Sequence, residues 1–220
     1  MRIGIYGGTF NPIHNGHLKL AGLAYKECRL DKIFFMPSGS SYLKNHVLSS
    51  DIRYQMVCLA INGIDYFDIS DMEIRREGPT YSYETFELLH RQYPEDDFFF
   101  IMGEDSLRYI EHWKEPTRLM KSCSLIVAAR TDASVPEESV SDRKHILKTD
   151  ADIKVDNIAE LERLAHYLEG KYDTHIYCIR MHDDISSSRI RKLAAEGKDI
   201  GGMVPEAVND FIIKNCLYKK

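Results

Sequence analysis

No CxxC pair and no HExxH element occurs in these 220 residues, and there is a single tryptophan, Trp113. The five cysteines (Cys28, Cys58, Cys123, Cys178, Cys216) are scattered and odd in number. That pattern argues against a disulfide framework and against a thiolate zinc site, and it fits a reducing compartment, the cytoplasm. A basic excess is lacking too. Net charge is -5 with both signs spread along the chain, which argues against nucleic acid or an anionic membrane as the main partner. The longest apolar runs, 98–102 and 125–129, are far too short to span a bilayer. The first residues enter a strand pattern directly, without the basic, apolar and small-residue succession of a signal peptide. No period repeats, and neither a Ser-His-Asp nor a Cys-His arrangement stands out.

What remains is ample for a globular α/β domain: 44% hydrophobic and 29% charged residues over one domain's length, 1–220. Short apolar runs at 2–6, 32–36, 67–69, 97–102, 124–129 and 175–180 read as strands. Helical spacing fills the intervals 51–62, 82–93 (Ser82 as N-cap), 116–121, 187–196 and 205–215. It also follows Pro12, where Leu18, Ala21, Tyr25 and Cys28 share a face. Strands alternating with helices predict a Rossmann-like, doubly wound parallel sheet with helices on both faces. Residues 131–173 break the rhythm. They are charged, and they contain a helix framed by Asn157, Glu160 and Gly170, which reads as an insertion on the sheet's rim, available as a homo-oligomer contact.

Two segments carry chemistry. In the first, Gly7 and Gly8 follow the first strand, Thr9 adds a hydroxyl, and His14 and His17 lie three apart where a helix begins. Glycines let a ligand approach the backbone, and histidines at a helix's positive end suit a polyphosphate. A His-x-x-His pair also suits a metal, but no third ligand is near it in sequence, so no metal site is read here. In the second, Ser186-Ser187-Ser188 precedes Arg189 and Arg191 at another helix start, with Ser187 or Ser188 as cap. Arginine in a first turn opposes the helix dipole unless an anion rewards it, so this too reads as a phosphate site.

Residues 7–18 match the GxFxPxHxGH signature of the nucleotidylyltransferase superfamily, and 185–191 match its late ISSTxIR element. Within that superfamily the chain resembles bacterial nicotinate mononucleotide adenylyltransferase. Glu73, Arg76 and the stretch 78–85 are similar to the family's ExxRxGPSYTxDT. Gly103, Asp105 and Trp113 match its GxD and following tryptophan. Ala129-Arg130 matches a strand end, and 208–218 its VxxYIxxxxLY close. The resemblance covers about four fifths of the chain. The chain departs from it after the second strand, where the family often carries PPHK and this sequence has Leu43 in the histidine position, keeping Lys44.

The resemblance implies transfer of AMP from ATP to the phosphate of nicotinate mononucleotide, with magnesium arriving as an ion carried by ATP. His17, His14 and Arg191 would be catalytic. Gly7, Gly8, Thr9, Lys44, Ser187, Ser188, Asp105 and Arg130 would bind ATP, and Tyr81, Ser82, Thr85 and Trp113 the acceptor. Rival readings are a nucleotidylyltransferase for another acceptor or for CTP, a nucleotide sensor without turnover, and an aminoacyl-tRNA synthetase fragment. The last rests on the echo of a HIGH element in residues 14–17 and is opposed by the acidic chain.

Overall fold

The computed structural model describes residues 1–39, 47–130, 157–181 and 185–219. Six strands form one sheet: β1 (Arg2–Gly8), β2 (Lys32–Pro37), β3 (Phe67–Ile69), β4 (Asp97–Gly103), β5 (Ser124–Arg130) and β6 (Ile176–Met181). Their order is β3-β2-β1-β4-β5-β6 and all five pairings are parallel. The predicted fold class is therefore the observed one.

The strands are apolar on both sides because both faces are covered. Along β4, Phe99 and Ile101 enter one core cluster while Phe98, Phe100 and Met102 enter the other. β5 divides in the same way, Ile126 and Ala128 against Leu125, Val127 and Ala129. This period of two inside a continuous apolar run is what a parallel sheet between helical layers requires. The first face carries α1 (Asn15–Glu27), α2 (Ser50–Ile61), α7 (Ser187–Ala195) and α8 (Glu206–Lys214). The second carries α3 (Ser82–Gln92), α4 (Glu104–Tyr109), α5 (Pro116–Ser122) and α6 (Asn157–Tyr172).

Two local expectations need correction. The residue capping α3 is Tyr81, with Ser82 the first helical residue, and the cap of α7 is Ser186, whose side chain accepts from the Arg189 N–H at 3.2 Å. The helix expected on the rim is α6, and it is no peripheral addition. It is the crossover from β5 to β6, and Leu161, Ala165, Leu168 and Tyr172 are buried. A parallel strand pair demands such a crossover, and its apolar stripe is occupied inside the subunit. Residues 131–156 of the expected insertion lie outside the described residues. No helix among the described residues is long and apolar enough to cross a membrane.

Candidate active site

The strand order reverses between β1 and β4, so a crevice opens beyond their carboxyl ends, flanked by both helical layers. β1 leads into it through Gly7 and Gly8. A Cβ at Gly8 would meet the Phe10 ring at 2.9 Å, and one at Gly7 would meet Phe100 at 3.0 Å. The missing side chains thus make room for the protein's own aromatic rings. Phe10 itself is buried in left-handed backbone, φ 46°.

The chain then caps α1 with His14. The His14 N–H donates to His17 Nδ1 at 3.1 Å, and the two rings stack with centroids 3.6 Å apart. Phe10 and Tyr6 stand edge-on to His17, at 5.1 and 5.8 Å. With Nδ1 accepting, a neutral His17 carries its proton on Nε2 and presents a donor there. Capping and aromatic packing together fix which nitrogen does this.

From the far end of the sequence, α7 closes on this loop. Ser187 Oγ donates to the Pro12 carbonyl at 2.9 Å, Arg191 Nη1 to the Asn11 carbonyl at 2.8 Å, and Arg191 Nη2 to Ser188 Oγ at 3.1 Å. The turn after α7 adds two more ties, Asn15 N–H to Met203 and Asn15 Nδ2 to Gly202, at 2.9 and 2.7 Å. With Ser186 as cap, Arg191 sits in the second turn of α7, beyond the strongest field of the helix N-terminus.

Arg53 was not visible as a site element, and it organises the exits of β1 and β2. Its side chain is 1% exposed and donates to the carbonyls of Thr9 (2.8 Å), Ser38 (2.6 Å), Gly39 (2.9 Å) and Leu48 (3.0 Å). Burial lowers its pKa, yet a guanidinium stays charged at any working pH, so four carbonyl dipoles solvate it in place of water. One signal was available: Arg53 shares the buried face of α2 with Met56, Val57 and Ala60, where an arginine must have partners.

Across the crevice, Trp113 is half-buried, edge-on to Phe100 with centroids 6.1 Å apart. Thr85 is buried, donates to Glu73 at 2.9 Å and accepts from Arg76 at 3.2 Å. It braces the start of α3 from beneath, whereas Tyr81 and Ser82 are only half-buried. Arg76 also pairs with Glu84, offsetting the acid in that first turn. Burial pushes the Glu73 carboxyl above its ordinary range, against the lowering effect of bonds from Thr85 and Thr80 and of the Arg76 charge. Asp105 is exposed in the first turn of α4, after Gly103. Lys44 and the Arg130 side chain lie outside the described residues. A cleft lined by Arg2, His90, Asp97 and His175 opens at the opposite ends of the strands and contains none of the predicted site residues. Among the described residues no group of three or more His, Cys, Asp or Glu is placed to hold a metal ion.

Residues 5–193 match the family model described as cytidylyltransferase-like. A protein of Syntrophotalea carbinolica named "Probable nicotinate-nucleotide adenylyltransferase" is 37% identical, over 100% of this chain and 98% of its own length. One of Geotalea daltonii with the same name is 38% identical, over 99% and 98%. The chain belongs to the nicotinate-nucleotide adenylyltransferase family. It is an enzyme, a nucleotidyltransferase of NAD biosynthesis. The fold of this family extends to distant structures. Plasmodium falciparum nicotinic acid mononucleotide adenylyltransferase complexed with NaAD superposes with a TM-score of 0.74 at 20% identity, covering 99% of this chain and 97% of that one.

Within the adenylyltransferase fold, the two end motifs meet directly, through Ser187 on Pro12 and Arg191 on Asn11. Trp113 and Tyr81 pack on the other face of the sheet, so one flank of the crevice carries polar donors and the other aromatic rings.

Proposed function

We propose that this enzyme transfers AMP from ATP to the phosphate of nicotinate mononucleotide, giving deamido-NAD and pyrophosphate in the cytoplasm. The observation that carries the reading is the docking of Arg191 and Ser187 on the loop that presents the His14–His17 stack. It concentrates donors where a triphosphate would be attacked.

The acceptor phosphate has a second pKa near 6, so it is largely dianionic at neutral pH and needs no general base. The remaining barrier is electrostatic and positional, because two anions must meet in line. In this reading His17 Nε2–H donates to the α-phosphate as charge builds there, and His14 backs it through the ring stack. Arg191 uses two of its five N–H groups on Asn11 and Ser188, and its remaining edge meets the β- and γ-phosphates with Ser188. Thr9, Gly7 and Gly8 line the same turn, and Asp105 and Arg130 take the nucleoside. Magnesium enters as part of the substrate, bound to ATP.

On the aromatic flank, Trp113 offers a face to the cationic pyridinium ring. The first N–H groups of α3, at Ser82 and Tyr83, have no partner within the helix and suit a carboxylate, which favours the acid over the amide. Thr85 acts from beneath, holding that helix start on Glu73 and Arg76.

The test is pyrophosphate release from ATP or CTP with nicotinate mononucleotide, nicotinamide mononucleotide and phosphopantetheine as acceptors. ATP with the nicotinate acceptor should give the highest kcat/KM. Equal values for the two pyridine nucleotides would remove the carboxylate assignment. ATP binding without pyrophosphate release from any acceptor would make the protein a sensor.

A further inference from the structure

After α8 the chain makes two left-handed residues, Cys216 at φ 48° and Tyr218 at φ 65°. Neither is glycine, asparagine or aspartate, and side chains of this size adopt such backbone only where the surroundings impose it. What they achieve is specific. They turn the last residues back over the first core cluster, where Leu217 and Tyr218 pack, and carry the Tyr218 hydroxyl to Asn11 Oδ1 at 3.0 Å, across 207 positions of sequence. Asn11 is the residue whose carbonyl holds Arg191. One residue of the signature loop is therefore gripped on its side chain by the C-terminal tail and on its main chain by the phosphate-site arginine.

The neighbourhood makes this a donor with a defined task. Burial is the largest influence on the phenol and pushes its pKa well up, against the pull of the Arg191 and Arg53 charges nearby. The hydroxyl keeps its proton at neutral and mildly alkaline pH, and as a donor it needs an acceptor at that depth, which Asn11 Oδ1 supplies. Arg53 fixes the Thr9 carbonyl two residues before Asn11, and Ser187 fixes the Pro12 carbonyl one residue after it. Tyr218 supplies the side-chain hold that those main-chain contacts lack.

We infer that Tyr218 is a positioning residue for catalysis, its hydroxyl holding Asn11 so that the signature loop keeps Arg191 and the two histidines in register with the triphosphate. The inference rests on the phosphate-site reading above. It assigns the tail a part in chemistry from the far end of the chain, without contact to substrate.

The experiment compares Tyr218→Phe, which removes only the hydroxyl, with Tyr218→Ala, in steady-state kinetics and in melting with and without Mg-ATP. Tyr218→Phe leaves the buried Asn11 side chain without this donor, so it should melt a few degrees below the parent without ligand while staying folded at the assay temperature. It should lose about 10-fold in kcat/KM for ATP and leave the KM for nicotinate mononucleotide unchanged. Its Mg-ATP melting shift should shrink, a readout that needs no turnover. Combined with Arg191→Lys, the two losses should be less than multiplicative, since both act through Asn11. Parental kinetics and a parental Mg-ATP shift in Tyr218→Phe would overturn the inference. So would a uniform fall in activity that tracks the unfolded fraction in both variants, because the tail would then only be packed. If the parent protein melts higher with Mg-ATP but never releases pyrophosphate, the proposed reaction fails while the melting comparison still decides Tyr218.

Discussion

Arg191 Nη1 donates to the carbonyl of Asn11 at 2.8 Å, joining residues 180 positions apart. The contact changes what removal of this arginine should do. Judged by its place near a helix start alone, Arg191→Ala would be neutral or slightly stabilising without ligand. A half-buried guanidinium bonded to a main-chain oxygen and to Ser188 instead contributes to the fold, about 1.5–3 kcal/mol for a hydrogen bond from a charged group. Arg191→Ala should therefore melt below the parent protein and gain less from Mg-ATP. Arg191→Lys should recover part of both, since charge is kept and the planar fork is lost. A melting temperature at or above the parental value would mean the Asn11 contact carries no weight.

His17 has two separable tasks, capping α1 through Nδ1 and donating from Nε2. His17→Asn can keep an acceptor near the Nδ1 position and has nothing at Nε2. It should fold with near-parental stability and still lose on the order of 100- to 1000-fold in kcat, the loss usual for one transition-state donor. His17→Ala should lose the same activity and, in addition, about 1 kcal/mol of stability from the cap. Urea unfolding beside single-turnover kinetics separates the two effects. Parental turnover in folded His17→Asn would remove Nε2 from the mechanism.

Arg53 is the larger structural risk. Replacing it with Met fills much of the volume but leaves the carbonyls of Thr9, Ser38, Gly39 and Leu48 without their donor. Each buried acceptor left unmade costs about 1–3 kcal/mol, so the variant should be severely destabilised or unfolded. Arg53→Lys, with one point charge for a forked group, should rescue little. A urea midpoint within experimental error of the parent for Arg53→Lys would show that the fork is dispensable.

Trp113→Ala should raise the KM for nicotinate mononucleotide several-fold more than that for ATP, since a ring platform contributes about 0.5–2 kcal/mol through its face. The reverse split would make Trp113 a core residue of the Phe100 cluster only.

Glu73 gives a pH-dependent prediction. Its pKa is raised in the folded state, with burial the largest cause. An acid shifted in this direction favours the fold below its unfolded value, 4.5, and that contribution is lost as pH rises through the folded value. Glu73→Gln stays neutral and keeps an acceptor oxygen for Thr85, so its stability should fall less than the parent's between pH 4.5 and neutrality. Parallel urea-midpoint profiles for the two proteins would show that Glu73 does not titrate in that range.

The strands, most helices, the two signature segments and hence the family were legible in the sequence by itself. Each is written in short-range terms: apolar runs bounded by Gly or Pro, a 3.6 period, donors spaced along one helix start. Even there two cap positions shifted. In the serine run every residue satisfies the local pattern and Ser186 takes the cap, whereas the cap of α3 falls on Tyr81, which makes no side-chain cap bond and which no local preference marks. Only the tertiary structure decided that Gly7 and Gly8 make room for Phe100 and Phe10, that Thr85 is a brace on Glu73, and that α6 is the crossover between β5 and β6. It alone brought Arg53 and Tyr218 to the signature loop. Apart from Gly8 with Phe10, these are contacts between residues from 12 to 207 positions apart. Their energy depends on burial and on the geometry of both partners at once, and a pattern along one segment contains neither.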